Sequence, residues 1–375
     1  MLNFFIKIIM RKLNKITFYH SDNIEALTLK EISEEAGKRG YETRFTKDFW
    51  EKSQIGFYCS HQFYPVQAKL SCVMLHDLGQ KHIVWPSFWK YEPWPKFDIG
   101  FLPGQFWADL YEEDKEDNLR RSPRYGIYKS GWPKSDYVFR KEEQGRIKNL
   151  RKELGFKYEK TILYAPSWEN NNKQDDFVIA LKDLDCNLLI KQAHWPENYP
   201  QIRENIKKMR SLHEGNFDNV FFLDWNTNIM DAIALSDILV SEESGVMVEA
   251  MLLNVPSIAV KDWVVPDTNP PRMPSIPYDF VKKSFKKDLK DSVISVLKFG
   301  HKVEYRSKEM TLEQYSDYWF SNKGYSAKYI IDTVEELILN KDIKKSISIC
   351  AKRATLPFLQ RTALYLKNKF SDLQK

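Results

Sequence analysis

Short β-rich runs and apolar-striped helical runs alternate along this chain, and the alternation then begins a second time. "KITFYHS" (15–21) precedes "IEALTLKEISEEAGKRG" (24–40), whose apolar residues recur at three/four spacing before a glycine stop. "YETRFTK", "QIGFYCS", "LSCVMLHD" and "KFDIGFLPG" follow as further strands. A charged helix at 141–153 leads into "TILYAPSW" (161–168), where the pattern restarts. Helices near 176–184, 200–209, 228–235 and 245–253 then separate the strands "NLLIKQAHW", "NVFFLDW", "ILVSE" and "PSIAVKDW". Strand–helix–strand order of this kind predicts parallel sheets covered by crossover helices.

At 375 residues the chain exceeds one ordinary core. The expected organisation is a domain at 1–155, a second at 156–340 and a basic helical tail at 341–375. "VVPDTNPPRMPSIPYDF" reads as an ordered loop of the second domain. Two doubly wound, Rossmann-like α/β domains facing a cleft describe the GT-B architecture of nucleotide-sugar transferases, an analogy at the level of fold.

Charge is placed unevenly. Residues 1–15 carry four cations and no acid, and residues 341–375 carry nine against two. The ends thus hold +11, which leaves −5 for the body of a chain whose total is +6. A body of that sign argues against nucleic-acid binding. "MLNFFIKIIMRKLNK" is too short and too interrupted to span a bilayer, and it lacks the layout of a secretory signal. Two readings stay open for it: an amphipathic anchor on an anionic membrane surface, or a first helix packed on the domain. The four cysteines have no close spacing and read as reduced thiols of a cytoplasmic protein, either free or peripheral at the cytoplasmic face of the membrane.

Open parallel sheets bind ligands past the carboxyl ends of their strands, so chemistry is sought there. In "SDILVSEESGVMVEAMLLNVPSIAV" (236–260), a strand breaks at Ser-Glu-Glu-Ser-Gly before a helix. Ser244 and Gly245 at that helix start suit a phosphate, and Glu249, one turn on, suits ribose hydroxyls. The alternative is a plain helix cap. "LLIKQAHWP" (188–196) delivers Lys191 and His194 to a strand end, as a diphosphate would require. "LYAPSWENN" (163–171) brings Pro166 and Ser167 to the same cleft. In the first half, "LSCVMLHDLGQKH" (70–82) places His76 directly after a strand, a candidate general base with Asp77 to orient it. His82 has no third ligand near it in sequence, so no metal site is expected. "YKSGWPKSDYVF" (128–139) contains a turn at Gly131 and Pro133, and Asp136 is expected to cap the segment after it.

Taken in order, these segments resemble the CDP-glycerol glycerophosphotransferase family of teichoic-acid primases and polymerases. The resemblance covers roughly residues 70–340 and is densest over 125–260. "SGWPKSD" is similar to the family's G-Y-P-x-x-D, with Trp132 in place of Tyr. "KELGFKYEKTILYAPSWENN", "LLIKQAHWP" and "MLHDLGQKH" follow its other motifs, and "FSNKGYSAKYIIDTVEELI" resembles its closing segment. The family's Asp-Tyr-Ser-Ser has become Glu242-Glu243-Ser244-Gly245, and its His-Gly-Thr has become His76-Asp77-Leu78. The resemblance implies transfer of glycerol phosphate, or a related polyol phosphate, from a CDP-activated donor to a hydroxyl of a cell-surface glycan or lipid-linked precursor. CMP would leave. Ser244, Gly245, Glu249, Lys191 and His194 would hold the nucleotide, with Ser167 and Pro166 beside them. His76 would take the acceptor proton. No tightly bound cofactor is implied, and Mg²⁺ stays open. Two alternatives stand beside this reading: a nucleotide-sugar glycosyltransferase of capsule or lipopolysaccharide assembly, and a non-catalytic subunit of a surface-glycan complex.

Overall fold

The computed structural model describes residues 13–59, 65, 67–79, 89, 92–117, 121–170, 172–193, 195–305 and 307–339. The N-terminal segment through residue 12, His82, His194 and the tail from residue 340 lie outside the described residues. The membrane-anchor and tail expectations therefore fall outside them too.

Six strands build the first sheet: β1 (Lys15–Tyr19), β2 (Glu42–Thr46), β3 (Ser53–Cys59), β4 (Ala68–Met74), β5 (Ile99–Leu102) and β6 (Ile127–Lys129). They lie in the order β2-β1-β3-β4-β5-β6, parallel throughout. The second sheet holds β7 (Lys160–Tyr164), β8 (Cys186–Ile190), β9 (Val220–Phe222), β10 (Ile238–Ser241), β11 (Ser257–Val260) and β12 (Lys282–Ser284). Its order is β12-β11-β10-β7-β8-β9, again parallel. The expected α/β fold with two doubly wound sheets is what forms. Strand order reverses between β1 and β3 in one sheet and between β7 and β10 in the other. These reversals are where such sheets open a ligand crevice.

The central strands read as unbroken apolar runs because helices cover both faces. All five residues of β8 and all four of β10 and of β11 are buried. The first crossover helix, Asn23–Lys38, starts where Asp22 accepts the Glu25 N–H at 2.9 Å, and it buries Leu29, Ile32 and Ala36. Burying those residues fixes which side of the helix meets the sheet.

The second domain does not extend to residue 340 as expected. After a hairpin of β13 (Lys302–Tyr305) and β14 (Lys308–Thr311), helix Leu312–Trp319 bridges the domains, between Gln105–Asp117 and Val246–Leu252, and helix Ser326–Leu339 returns to the first domain. Phe106 stacks on Trp319 with centroids 3.7 Å apart. Arg39 pairs with Asp332 at 2.6 Å and Glu335 at 2.8 Å. Asp136 also differs from expectation. Its carboxylate accepts the Ala327 N–H at 2.7 Å, so it caps the returning helix rather than the segment that follows it in sequence. Gly131, at φ +91°, has Ser321 and Ser326 where a Cβ would stand, which is why the turn before Asp136 needs glycine. The reason for the return is burial. Ile330, Ile331, Val334 and Ile338 share a core with Leu29 and Ile32.

Candidate functional site

A cavity of about 870 Å³ lies between the two sheets. Its walls are segments that follow strands, beginning at Asn23, Asp77, Ala165, Lys191, Trp225 and Ser244. Both domains thus present strand carboxyl ends to one space, as two facing doubly wound sheets should.

On the second-domain wall, Lys191 is buried and donates to the carbonyls of Gln192 and Trp225, each at 3.0 Å. An ammonium has three donors, so capacity for one further acceptor remains. Burial pulls its pKa down to about 8; Asp224 opposes that shift, and Lys134 adds to it. An anion in the cavity would reverse this depression by favouring the charged form.

Ser244 lies two residues before the helix Val246–Leu252, and its hydroxyl accepts the Val246 N–H at 3.3 Å. Gly245 caps that helix. A Cβ on Gly245 would stand 2.6 Å from the Gly79 nitrogen. The close approach that requires glycine here is thus made by the loop after His76, not by a ligand alone. The two domains touch backbone to backbone at this point, beside the cavity that Gly79, Ser244 and Gly245 all line.

Glu249 faces the cavity as expected, and one of its two carboxylate oxygens is already engaged. Its Oε1 accepts from Lys134 Nζ at 2.8 Å and from the Trp132 indole at 3.1 Å, both from the first domain. Only 6% of the Glu249 side chain and 10% of the Lys134 side chain are exposed, so the pair is taken out of water. An apolar helix can carry this glutamate because a cation meets it there.

Ser167 also departs from expectation. Its N–H and hydroxyl both donate to Glu242, the hydroxyl at 2.8 Å, so they point away from a phosphate. Glu242 is fully buried and takes further bonds from the Trp168 N–H at 3.0 Å and Lys173 Nζ at 3.0 Å. Nearby Glu169 has its pKa pushed up to about 8 by burial, despite the Tyr164 hydroxyl bonded to it, with Glu242 adding to the rise. That rise favours the neutral form of Glu169, and Lys173 is the cation that meets Glu242. This buried pair fixes the Ala165-Pro166-Ser167 turn, and Pro166 supplies wall but no donor. Glu243, the second acid of the altered motif, binds Arg272 through both oxygens at 2.7 Å.

On the first-domain wall, His76 Nε2 meets Asp77 Oδ2 at 2.5 Å, and the Thr28 hydroxyl holds the His76 carbonyl at 3.2 Å. Asp77 lines the cavity, and the imidazole stands behind it, with 13% of the His76 side chain exposed. Burial lowers the His76 pKa, but Asp77 and, further off, Glu92 and Glu25 outweigh it, so the net shift is upward. The pair is thus a proton acceptor of raised basicity that reaches the cavity through its carboxylate.

Of the nucleotide-site residues named from sequence, Lys191, Ser244, Gly245, Glu249, Pro166 and Ser167 line one cavity, opposite Asp77. Sequence reasoning passed over Lys134 and Glu242. Lys134 sits inside the quoted "SGWPKSD", but nothing local shows that its partner lies 115 residues away.

The sequence pattern of the CDP-Glycerol:Poly(glycerophosphate) glycerophosphotransferase family matches residues 120–336. A teichoic acid poly(glycerol phosphate) polymerase of Bacillus spizizenii is 29% identical over 224 residues, 56% of this chain and 52% of that protein. The chain therefore spans about half the length of that curated relative. Among solved structures, the wall teichoic acid polymerase TagF soaked with CDPG is similar over 89% of this chain and 90% of that one, with a TM-score of 0.54 and 17% identity. A UDP-GlcNAc 2-epimerase from Neisseria meningitidis, bound to UDP-GlcNAc, is similar over 86% of this chain and all of that one, with a TM-score of 0.52 and 12% identity. At such identities the structural likeness carries the GT-B fold and nothing finer.

Proposed function

Since the chain belongs to the CDP-glycerol:poly(glycerophosphate) glycerophosphotransferase family, we propose that it moves glycerol phosphate from CDP-glycerol to a hydroxyl of a cell-surface glycan or its lipid-linked precursor. The observation that carries this reading is the interdomain cavity of about 870 Å³. A buried lysine at a strand end forms one wall, and Asp77, with His76 paired behind it, stands on the facing wall.

In this reading the acceptor oxygen bonds to the β-phosphorus as the bond from that phosphorus to the CMP oxygen breaks. CMP departs with the bonding pair. The hydroxyl proton passes to the His76–Asp77 pair. Lys191, and the Ser244–Gly245 turn beside it, face the charge that develops on the phosphoryl oxygens. Phosphoryl transfer depends chiefly on such positioning and charge stabilisation. No tightly bound cofactor enters the scheme, and chelation with EDTA tests whether Mg²⁺ takes part. The basic chain ends would hold the enzyme peripherally on the anionic cytoplasmic face of the membrane.

The deciding experiment supplies the protein with CDP-glycerol and a glycerol-phosphate-primed lipid acceptor and measures nucleotide release. CMP formation that depends on acceptor supports the reading. UDP release from a UDP-sugar instead would make the chain a glycosyltransferase, and failure to bind any nucleotide would make it a non-catalytic subunit.

A further inference from the structure

A second cavity, of about 210 Å³, lies where the first-domain helix Gln105–Asp117 meets the bridging helix Leu312–Trp319 and the segment at 277–279. Three tyrosines line it: Tyr305, Tyr315 and Tyr318. Their ring centroids lie 5.2, 5.7 and 6.5 Å apart, and each pair is tilted. Behind them, Phe106 stacks on Trp319. The Tyr318 hydroxyl donates to Asp109 at 2.5 Å, which fixes that ring. Glu113 and Asp279 join Asp109 in the lining, and no lysine or arginine is among the described lining residues.

Aromatic faces are negative, and a cation within ~6 Å of a ring centroid is attracted to them. Tyr305 and Tyr318, both half-buried and 5.7 Å apart, lie within that reach of one cation, and the buried Tyr315 backs them. Three carboxylates add long-range attraction of the same sign. They do not form a metal site, since among the described residues no group of three acids, histidines or cysteines is placed to hold a metal ion. A primary ammonium is strongly hydrated, and only the carboxylates, not the rings, could replace that water. A methylated ammonium is weakly hydrated, and its charge is spread over methyl groups that pack on aromatic rings.

We propose that this cavity binds a quaternary trimethylammonium group of the choline type. The site is separate from the transfer cavity, and the inference does not depend on the transfer reaction. A phosphate next to the ammonium would be repelled by Asp109, Glu113 and Asp279, so choline should bind more tightly than phosphocholine.

Calorimetry on the full chain with choline and tetramethylammonium tests this, with 3,3-dimethyl-1-butanol as the neutral isostere. The expected result is saturable choline binding with Kd below about 10 mM, a value that corresponds to a weak small-ligand site. The neutral isostere should bind at least tenfold more weakly. Tyr305→Leu should weaken choline about tenfold, and Glu113→Gln with Asp279→Asn, both at exposed positions, should weaken it severalfold without threatening the fold. Cosedimentation with phosphatidylcholine vesicles that free choline abolishes would identify a lipid headgroup as the source. Choline binding without cosedimentation would identify a soluble one. The proposal is overturned by equal binding of the neutral isostere, by no saturable binding up to 10 mM, or by unchanged choline affinity in the double carboxylate variant together with a folded Tyr305→Leu.

Discussion

Lys134 and Glu249 meet across the domain boundary, Nζ to Oε1 at 2.8 Å, in the wall of the interdomain cavity. The bond joins the turn after β6 to the helix after β10, so it reports how the two domains are held. It also places a second ammonium in the field that lowers the Lys191 pKa. Removing one partner strands a buried charge, and breaking such a pair costs about 3–5 kcal/mol. Lys134→Met should therefore destabilise the protein by that amount in urea unfolding. Lys134→Met combined with Glu249→Leu should recover most of it. If the single and double variants lose stability equally, the pair is not what matters at this position.

His76→Ala should leave nucleotide affinity near normal and lower turnover, since the nucleotide is assigned to the opposite wall. Loss of a general base typically reduces rate by ~10²–10⁴. With the His76 pKa raised, neutral imidazole accumulates only above an inflection higher than the usual 6.5. Turnover should thus climb with pH through that inflection, and Asp77→Asn should move it to lower pH. An inflection unmoved by Asp77→Asn would assign the titration to another group.

The same shift has a linked effect on folding. A raised histidine pKa contributes stability that is fully present below the unfolded value near 6.5 and is lost as pH rises through the folded value. Chemical denaturation across pH 6–9 should show this slope in the native chain and not in His76→Ala.

Burial pushes the Asp136 carboxyl up to about 6 from 3.8, even with the Ala327 and Ser326 donors working the other way. A raised acid favours the fold below its unfolded pKa, and that contribution disappears as pH climbs through about 6. Asp136→Asn keeps an oxygen for the Ala327 N–H and does not ionise. The variant should gain on the native chain between pH 4 and pH 7.5, by up to about 3 kcal/mol. Parallel stability curves for the two proteins would contradict the assignment.

Glu242→Ala strands Lys173 and releases three donors from Ser167 and Trp168. Destabilisation of about 3–5 kcal/mol is expected from the pair alone. Because that residue fixes the Ala165–Ser167 turn, the surviving folded protein should also bind CDP more weakly. A variant that loses stability but keeps full CDP affinity would show that the turn holds its shape unaided.

Vesicle binding tests the basic ends. The full chain should sediment with anionic vesicles and be released by salt, because exposed charges act over a Debye length of ~8 Å at physiological ionic strength. Deleting residues 1–13 should weaken the interaction. Equal binding to neutral vesicles would remove its electrostatic basis.

The two sheets were legible because helices bury β7, β8, β10 and β11 on both faces, and that forces apolar runs of strand length. Lys191 and the Ser244–Gly245 break were legible because they sit just past such strands. The partners of the site residues were not. Glu249 reads as one acid in an apolar helix until Lys134 is brought to it. Ser167 reads as a spare hydroxyl until Glu242, 75 residues on, claims it. Periodicity tells which face of a helix is buried, never against what, so nothing local shows that helix Ser326–Leu339 packs on helix Asn23–Lys38 of the first domain.

The return of helix Ser326–Leu339 to the first domain has a consequence for biosynthesis. Residues 312–339, which complete the helical layer beside the first sheet, are made after the strands of both sheets. The β7–β12 unit is contiguous and can close as soon as it emerges. Until helices Leu312–Trp319 and Ser326–Leu339 arrive, the surfaces around Phe106 and around Leu29 and Ile32 stay uncovered on the nascent polypeptide. Completion of the earlier-made half therefore waits on residues made after the second sheet, against the usual amino-to-carboxyl order.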